Sequence, residues 1–505
     1  MSRKLRRLFT VIHRWIGIVA CLLFVVWFIS GLVIMYVHFP EMSPEEKLAT
    51  LPPISWENVH VTPQEALESA GLDEFPEKFW LEMSGVEPVY RILDWYGSDH
   101  AISAVSGHYI YGVEPLEALQ KVQLNISAPQ ATLLKSDLVS DQWTVAGYWN
   151  GLRPFHVIAL NDPADTHYYV SVDTGEIVLD TVHWERFWNY LGAIPHWIYF
   201  EFIRSDTDSW FWVVIVLSAV GIVGAFSGLW LGISKIRLRN RYGGTRVSPF
   251  LGWMKWHHVA GIIGGLFLFA WMVTGLLSMY PGGFLEQRAV TVQELKRYAG
   301  NTSPQFSFTG QNAIAAERQR TRSAQFKWIG GRSLVVLRDG GSSALIVDSK
   351  TGADEVLPDD EFYRFAAELM PNSTLVLTER LVVGDEYWHS GYRIRKLPIL
   401  RVGFDDELDT WFFIDPDSGA VAGILDDIGR LDRWFNAGVH DFDLAYLHKH
   451  RPLWDIVVWI LMLAGLFISS SGVVLGVKRL KFDAETRRRH RRIEAAVNTY
   501  RQTTD

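Results

Sequence analysis

Residues 13–36 read HRWIGIVACLLFVVWFISGLVIMY, and residues 257–280 read HHVAGIIGGLFLFAWMVTGLLSMY. The second stretch lies 244 positions beyond the first and aligns with it without a gap. His13 meets His257, Gly17 meets Gly261 and Trp27 meets Trp271; Gly31 then meets Gly275, Met35 meets Met279 and Tyr36 meets Tyr280. The same offset joins Asp173-Thr174-Gly175 to Asp417-Ser418-Gly419, Pro154 to Pro398 and Asp165-Thr166 to Asp409-Thr410. It also joins His196 to His440, Gly221 to Gly465, Ser227-Gly228 to Ser471-Gly472 and Leu231-Gly232 to Leu475-Gly476. Agreement at one fixed spacing is the mark of a repeated structural unit, here of roughly 240 residues in two copies.

Each copy opens on an apolar run. Residues 15–37 are apolar apart from Ser30, and at about 1.5 Å per residue they reach about 34 Å, enough to cross a bilayer core. The run is longer than the apolar region of a signal peptide and ends in no small-residue cleavage site, so an uncleaved span is expected. Further spans are expected at 210–233, 259–280 and 453–477. The expected fold is a membrane protein of four transmembrane α-helices in two parallel internal repeats, with two large α+β domains outside the membrane. The divisions are 1–37 (start and first span), 38–208 (first outside domain), 209–233 (second span) and 234–250 (basic loop). They continue with 251–280 (third span), 281–452 (second outside domain), 453–477 (fourth span) and 478–505 (basic tail).

Composition agrees with this reading. The chain is 49% hydrophobic with 22 Trp, and its formal charge of −8 conceals an uneven distribution. Arg3, Lys4, Arg6 and Arg7 precede the first span; Lys235, Arg237, Arg239, Arg241 and Arg246 lie in a loop without acids. The tail carries Lys478, Arg479, Lys481, Arg487, Arg488, Arg489, Arg491 and Arg492. The positive-inside rule puts both termini and the loop in the cytoplasm. With spans directly adjacent, these runs are read as orientation signals facing the lipid bilayer, and no nucleic-acid partner is expected. Cys21 is the only cysteine, which excludes an intrachain disulfide, a cysteine zinc site and covalent haem attachment through C-x-x-C-H.

The outside segments, 38–208 and 281–452, are 171 and 172 residues long. Strand–turn–strand patterns run from Tyr168 through Asp173-Thr174-Gly175 to Val178, and from Trp411 through Asp417-Ser418-Gly419 to Val421. A third is expected from Ala344 through Gly352. Short helices are expected at 63–70 and 311–318. Aromatic amphipathic stretches at 183–202 and 430–446 belong at the outer membrane interface.

Two units that both start and end inside are related by an axis along the membrane normal, which sets equivalent residues face to face. His13 and His257 then oppose each other near the cytoplasmic side, and His196 and His440 near the outer side. Opposed histidines in an apolar bundle suit axial ligation of haem iron, and ionisable groups inside a bundle are functional candidates by default. An interfacial histidine reaching for headgroups is the bland alternative. Arg14 and His258 are candidates for haem propionate contacts or for snorkelling to headgroups. Met35, Met279 and His38 remain candidate outer ligands, the methionines equally gap-fillers in packing. Glycines at 224, 228, 261 and 265 mark close helix contacts or room for a flat ring. The short cytoplasmic segments hold no Rossmann fingerprint or P-loop, so the electron donor is expected to be a separate cytoplasmic reductase or a membrane quinol.

The HRWIGI start, four spans and two outside domains with D-T-G and D-S-G hairpins resemble the PepSY-associated transmembrane-helix proteins of Gram-negative bacteria, often called iron-regulated membrane proteins. Among these the chain is similar to inner-membrane ferric-siderophore reductases of the ferrioxamine-reductase type. The resemblance implies a multi-pass inner-membrane protein with periplasmic PepSY-like domains and b-type haem, two in number, on His13, His257, His196 and His440. It implies reduction of a ferric siderophore or another ferric chelate in the periplasm, which releases the iron. An anchored PepSY module that binds or regulates peptidases, without redox activity, is the alternative; a transporter ranks third, because the spans are unbroken and carry few mid-span charges. Aromatic residues Trp143, Tyr148, Trp149, Tyr387 and Trp388 are read as walls of a substrate cleft or as domain core.

Overall fold

The structure is a computed structural model that describes residues 3–237, 247–300, 306–315, 318–341, 344–391 and 394–504. Arg239, Arg241 and Arg246 of the basic loop therefore lie outside the described residues.

Four long helices run over Arg3–Ile34, Thr207–Ser234, Gly252–Leu277 and Leu453–Thr504. Each is long and apolar enough to cross a membrane. Their outward faces are apolar as well: Val19 is 75% exposed, Leu22 61% and Ile263 69%. A helix apolar on every side needs an apolar surrounding, which lipid supplies. The first and third helices each pack against the second and fourth, and so lie diagonally across the bundle. The fourth helix continues past 477, the expected end of its span, to Thr504. Its extension is rich in Arg, Glu and Ala, all good helix formers, and Arg479 pairs with Asp483 one turn on at 3.0 Å.

The strands are β1 (Lys78–Ser84), β2 (Glu87–Leu93), β3 (Asp99–Ser103), β4 (Thr132–Leu138), β5 (Phe155–Ala159), β6 (His167–Ser171) and β7 (Ile177–Thr181). There follow β8 (Ser323–Ile329), β9 (Arg332–Arg338), β10 (Ala344–Asp348), β11 (Leu375–Leu381), β12 (Ile399–Phe404), β13 (Trp411–Ile414) and β14 (Val421–Leu425). They form antiparallel sheets ordered β10-β9-β8-β1-β2-β3, β4-β5-β6-β7 and β11-β12-β13-β14. The six-stranded sheet joins the two halves of the chain, with Trp80 opposite Gln325 and Leu81 opposite Ala324. Phe79 and Phe326 bring their rings to 4.6 Å in its core.

Register departs from the constant spacing in two places: β4 and β11 lie 243 positions apart, and the strands of the first sheet are shifted the other way. Phe155↔Ser171 in the second sheet and Ile399 in the third follow the 244 offset, but Lys78↔Leu93 corresponds to Ser323↔Arg338, 245 positions on. The extra residue is taken up in loops. Within a strand it would turn every buried side chain outward, because side chains alternate with period two.

The D-T-G and D-S-G hairpins are present as β6–β7 and β13–β14. The third expected hairpin differs: after β10 and its turn only one bridge forms, Val347 to Asp354. The partner stretch, Ala353-Asp354-Glu355, is held to β10 by two backbone bonds, the Asp348 amide to the Ala353 carbonyl and the Glu355 amide to the Ile346 carbonyl, and by side chains, Arg318 to Asp354 and Arg332 to Glu355. The expected helices are Pro63–Ser69 and Gly310–Ala315, with 316–317 outside the described residues. The first has a full capping box, Thr62 accepting from the Glu65 amide and Glu65 returning to the Thr62 amide.

The aromatic stretches are helical. Residues 183–204 hold three short helices, His183–Asn189, Ala193–Trp197 and Glu201–Arg204. Asp427–Arg433 runs into a π-helical turn, Trp434–His440. Ala193–Trp197 packs on the first long helix and the π-turn on the third.

Candidate metal centres in the bundle

The four histidines meet as two facing pairs. His13 and His257, on the diagonal helices, place their ring centres 6.3 Å apart. His196 and His440, on the short helices at the sheet side, place theirs 6.3 Å apart too.

Hydrogen bonding decides the tautomer of each ring. His13 Nδ1 lies 3.1 Å from the Gly224 carbonyl and His257 Nδ1 3.2 Å from the Ile468 carbonyl. A carbonyl only accepts, so each Nδ1 carries the proton. His257 Nδ1 also lies 2.9 Å from Ser471 Oγ, whose own proton goes to the Ile468 carbonyl. At the sheet side His196 Nδ1 is 3.2 Å from Ser30 Oγ and His440 Nδ1 2.9 Å from Thr274 Oγ1. Ser30 donates to the Trp27 carbonyl and Thr274 to the Ala270 carbonyl. Both hydroxyls have spent their proton and must accept from the imidazole.

All four rings are thus held as Nδ1–H tautomers, which leaves the Nε2 lone pair as the coordinating one. Ligating histidines are oriented in this way, the second ring nitrogen donating to an oxygen. Metal–imidazole bonds run about 2 Å and the ring centre lies about 1 Å behind its nitrogen, so two imidazoles on one metal set their centres roughly 6 Å apart. Both pairs fit that separation. Iron with imidazole ligands is the haem arrangement these donors suit.

Glycines seat the rings. A Cβ on Gly228 would lie 2.5 Å from His13 Cε1, and one on Gly472 3.5 Å from His257 Cε1. One on Gly31 would lie 3.3 Å from His196 Cε1, and one on Gly275 3.5 Å from His440 Cε1. Gly224 receives Ile16 of the first helix, whereas Gly261 faces open space. Between the pairs the core holds Phe24, Phe28, Leu268, Trp271 and Ile468. Trp271 Nε1 donates to the His440 carbonyl at 2.9 Å; the indole N–H of Trp27, its counterpart, has no such bond.

The remaining candidates are placed otherwise. Both nitrogens of His258 are engaged, Nδ1 with Ser248 Oγ and Nε2 with the Gly232 carbonyl, each at 2.9 Å. Arg14 and His38 are exposed; Met35 and Met279 are half-buried. Of the aromatic residues, Trp143, Trp149 and Trp388 are core and Tyr148 is exposed, while Tyr387 packs on Trp411. The orienting hydroxyls Ser30 and Thr274 escaped the reading of the sequence. Their signal was present, since they are hydroxyl residues 244 positions apart, on the same spans as the inner histidines.

A family profile described as PepSY-associated TM region matches residues 10–366. No curated protein matches the chain.

Proposed function

The chain belongs to the PepSY-associated TM region family, and from that premise we propose a haem-bearing oxidoreductase that carries electrons across the bacterial inner membrane to a ferric chelate in the periplasm. The observation that carries this reading is the pairing of four tautomer-fixed histidines at two levels of one bundle.

In this reading His13 and His257 hold an inner b-type haem, and His196 and His440 an outer one. Haem supplies one-electron carriers whose potential depends on axial ligands and burial. The protein supplies ring orientation through the Gly224 and Ile468 carbonyls and the Ser30 and Thr274 hydroxyls. Two parallel repeats about an axis along the membrane normal account for the matched bonds. The basic residues at 3–7, 235–237 and 478–492 face the cytoplasm, and the sheets face the periplasm. Electrons enter from a separate cytoplasmic reductase or a membrane quinol. Reduction to ferrous iron weakens a siderophore's hold and frees the metal.

Absorbance of the purified protein, oxidised and dithionite-reduced, tests this. A sharp b-type α-band with two haems per chain is expected. A folded chain that takes up no haem, even when haem is supplied during expression, overturns it and leaves the anchored peptidase-regulating PepSY module as the function.

A further inference from the structure

A cleft of about 590 Å³ opens in the sheet region, between the helix Pro44–Thr50, the end of the helix Pro115–Asn125 and the strands β6 and β7. That volume falls in the range of organic ligand sites. Part of its lining is apolar, with Met42, Leu51 and Ile126. Its polar lining includes Glu46, Tyr168, Asp180 and Arg322.

Strand register places this chemistry. Tyr168 on β6 stands directly opposite Asp180 on β7, so the two side chains share one face of the sheet. At the 244 offset they correspond to Phe412 and Ile424, which stand opposite each other on β13 and β14. There the pair is core: both side chains are buried in one apolar cluster. In the first half the same two positions carry a phenol and a carboxylate. Tyr168 packs its ring into the core and is only 8% exposed, yet it lines the cleft, and its hydroxyl has no hydrogen-bond partner among the described residues. Burial pushes its pKa up to about 12, and Asp180, Asp162 and Glu46 add to the shift. The phenol oxygen therefore looks toward the carboxylates of the cleft.

Neither carboxylate of the cleft is paired with a cation among the described residues. Burial, with Glu46 and Glu185 adding to it, pushes the Asp180 carboxyl up to about 6. Glu46 accepts from the Ser43 amide at 2.8 Å through Oε2, and Oε1 has no partner among the described residues. Glu185 accepts from the Val182 amide at 3.1 Å. Lys47, beside Glu46 in the chain, is turned instead to Glu176 and Glu82. Arg322 gives its Nη1 to the carbonyls of Ala49 and Leu51, at 2.9 and 2.8 Å, and pairs with neither carboxylate. Carboxylates that share a half-buried site repel each other, and a cation entering it relieves both the repulsion and the cost of burial.

We propose that this cleft binds a primary ammonium group carried on an aliphatic stem. Such a group has three donors and no acceptor. The cleft offers it three acceptors: Glu46 Oε1, the Asp180 carboxylate and the Tyr168 oxygen. Met42, Leu51 and Ile126 receive the stem. A bare metal ion suits the cleft less. Calcium takes about six to eight oxygen ligands, and no group of three or more acidic, histidine or cysteine side chains able to hold a metal stands together among the described residues. A free small amine and the side chain of a lysine in a peptide share the ammonium chemistry. The site needs neither haem nor the reductase reading.

The test is isothermal titration calorimetry of the full chain in detergent at about pH 7.5, where the Asp180 carboxyl is ionised. The probes are n-pentylamine, an N-acetylated peptide with a single lysine, and 1-pentanol, which has the stem without the charge. Saturable binding of pentylamine or of the peptide is expected, and none of pentanol; the tighter of the two amines identifies the source. Asp180→Asn is expected to weaken binding about tenfold or more, as the loss of a hydrogen bond to a charged group does. Tyr168→Phe weakens it independently, should the first variant not fold. Tyr168→Phe combined with Asp180→Ile reproduces the apolar pair of the second half and is expected to abolish binding. The proposal is overturned by no saturable binding of either amine, by equal binding of pentanol, by binding of calcium chloride alone, or by an affinity unchanged in both single variants. Haem content is read separately by absorbance, so failure here leaves the reductase reading intact.

Discussion

His13 and His257 face each other with ring centres 6.3 Å apart, although they sit on the two helices that lie diagonally in the bundle. Each ring is tethered to a carbonyl of a different neighbouring helix, Gly224 for one and Ile468 for the other. The pair is therefore positioned by all four helices together. The first test of it is subtraction: His13→Ala or His257→Ala is expected to halve the haem content measured as pyridine haemochrome. His196→Ala or His440→Ala should remove the other half, and His13→Ala with His196→Ala should leave none. Full haem content in all four single variants would sink the assignment.

Gly228→Ala puts a Cβ about where His13 Cε1 now stands, at 2.5 Å. Loss of inner haem and a lower thermal midpoint are expected. Gly261→Ala is the control, since nothing lies within 4 Å of the added methyl; alanine there gains about 0.5–1 kcal/mol in helix interior propensity. Equal behaviour of the two variants in thermal unfolding would contradict the packing described.

Thr274→Val keeps shape and removes the oxygen that accepts from His440 Nδ1. Loss of such an orienting partner typically costs about 10–100-fold in metal affinity. Haem titration into haem-depleted protein should show this for Thr274→Val and for Ser30→Ala, with the inner centre unaffected.

Glu82 and Arg91 pair at 3.1 Å on adjacent strands, both side chains 3% exposed. Arg91→Met strands a buried carboxylate, and breaking such a pair costs about 3–5 kcal/mol. Lys47, 3.6 Å from Glu82, offsets part of it, so the low end is expected in denaturant unfolding followed by far-ultraviolet circular dichroism. An unchanged midpoint would mean that the buried pair contributes nothing net.

The His389–Asp443 contact ties the loop after β11 to the connection that follows the π-helical turn, and its strength should depend on pH. Burial opposes a charge on His389, but Asp443 and the Asp385 carbonyl outweigh it and raise the pKa. A raised histidine pKa contributes stability below the unfolded value of about 6.5, and that contribution fades as pH rises through the higher folded value. Asp443 is held below the usual carboxylate range; burial opposes this, but the hydrogen bond from His389 and the closeness of His448 prevail. Its contribution is present above an unfolded value of about 3.9 and is lost as pH falls through the folded one. His389→Ala should accordingly destabilise most between about pH 4 and 6.5 and far less above about pH 8. Urea unfolding at pH 6 and pH 9 checks the sign, and an equal cost at both would refute it.

Much of this was legible along the chain. Apolar runs long enough to cross a bilayer and the turn residues of the D-T-G and D-S-G hairpins are local signals, and each yielded its element. The histidines were visible because one offset paired them. Ser30 and Thr274 were overlooked, since a hydroxyl in a span reads as a satisfied helix residue until a distant imidazole is known to lie against it. The π-helical turn that ends at His440 has no period by which to find it.

Sequence by itself determined the spans and the spacing that makes His13 equivalent to His257 and His196 to His440. Only the tertiary structure decided that equivalent histidines face each other with Nδ1 hydrogen-bonded. It alone brought His389, Asp443 and His448 to one point from segments more than fifty residues apart. The physical reason is the range of the forces involved. Hydropathy and turn preference act within a few residues, whereas hydrogen-bond direction and ring separation depend on how four helices pack, and packing joins residues without regard to their distance along the chain.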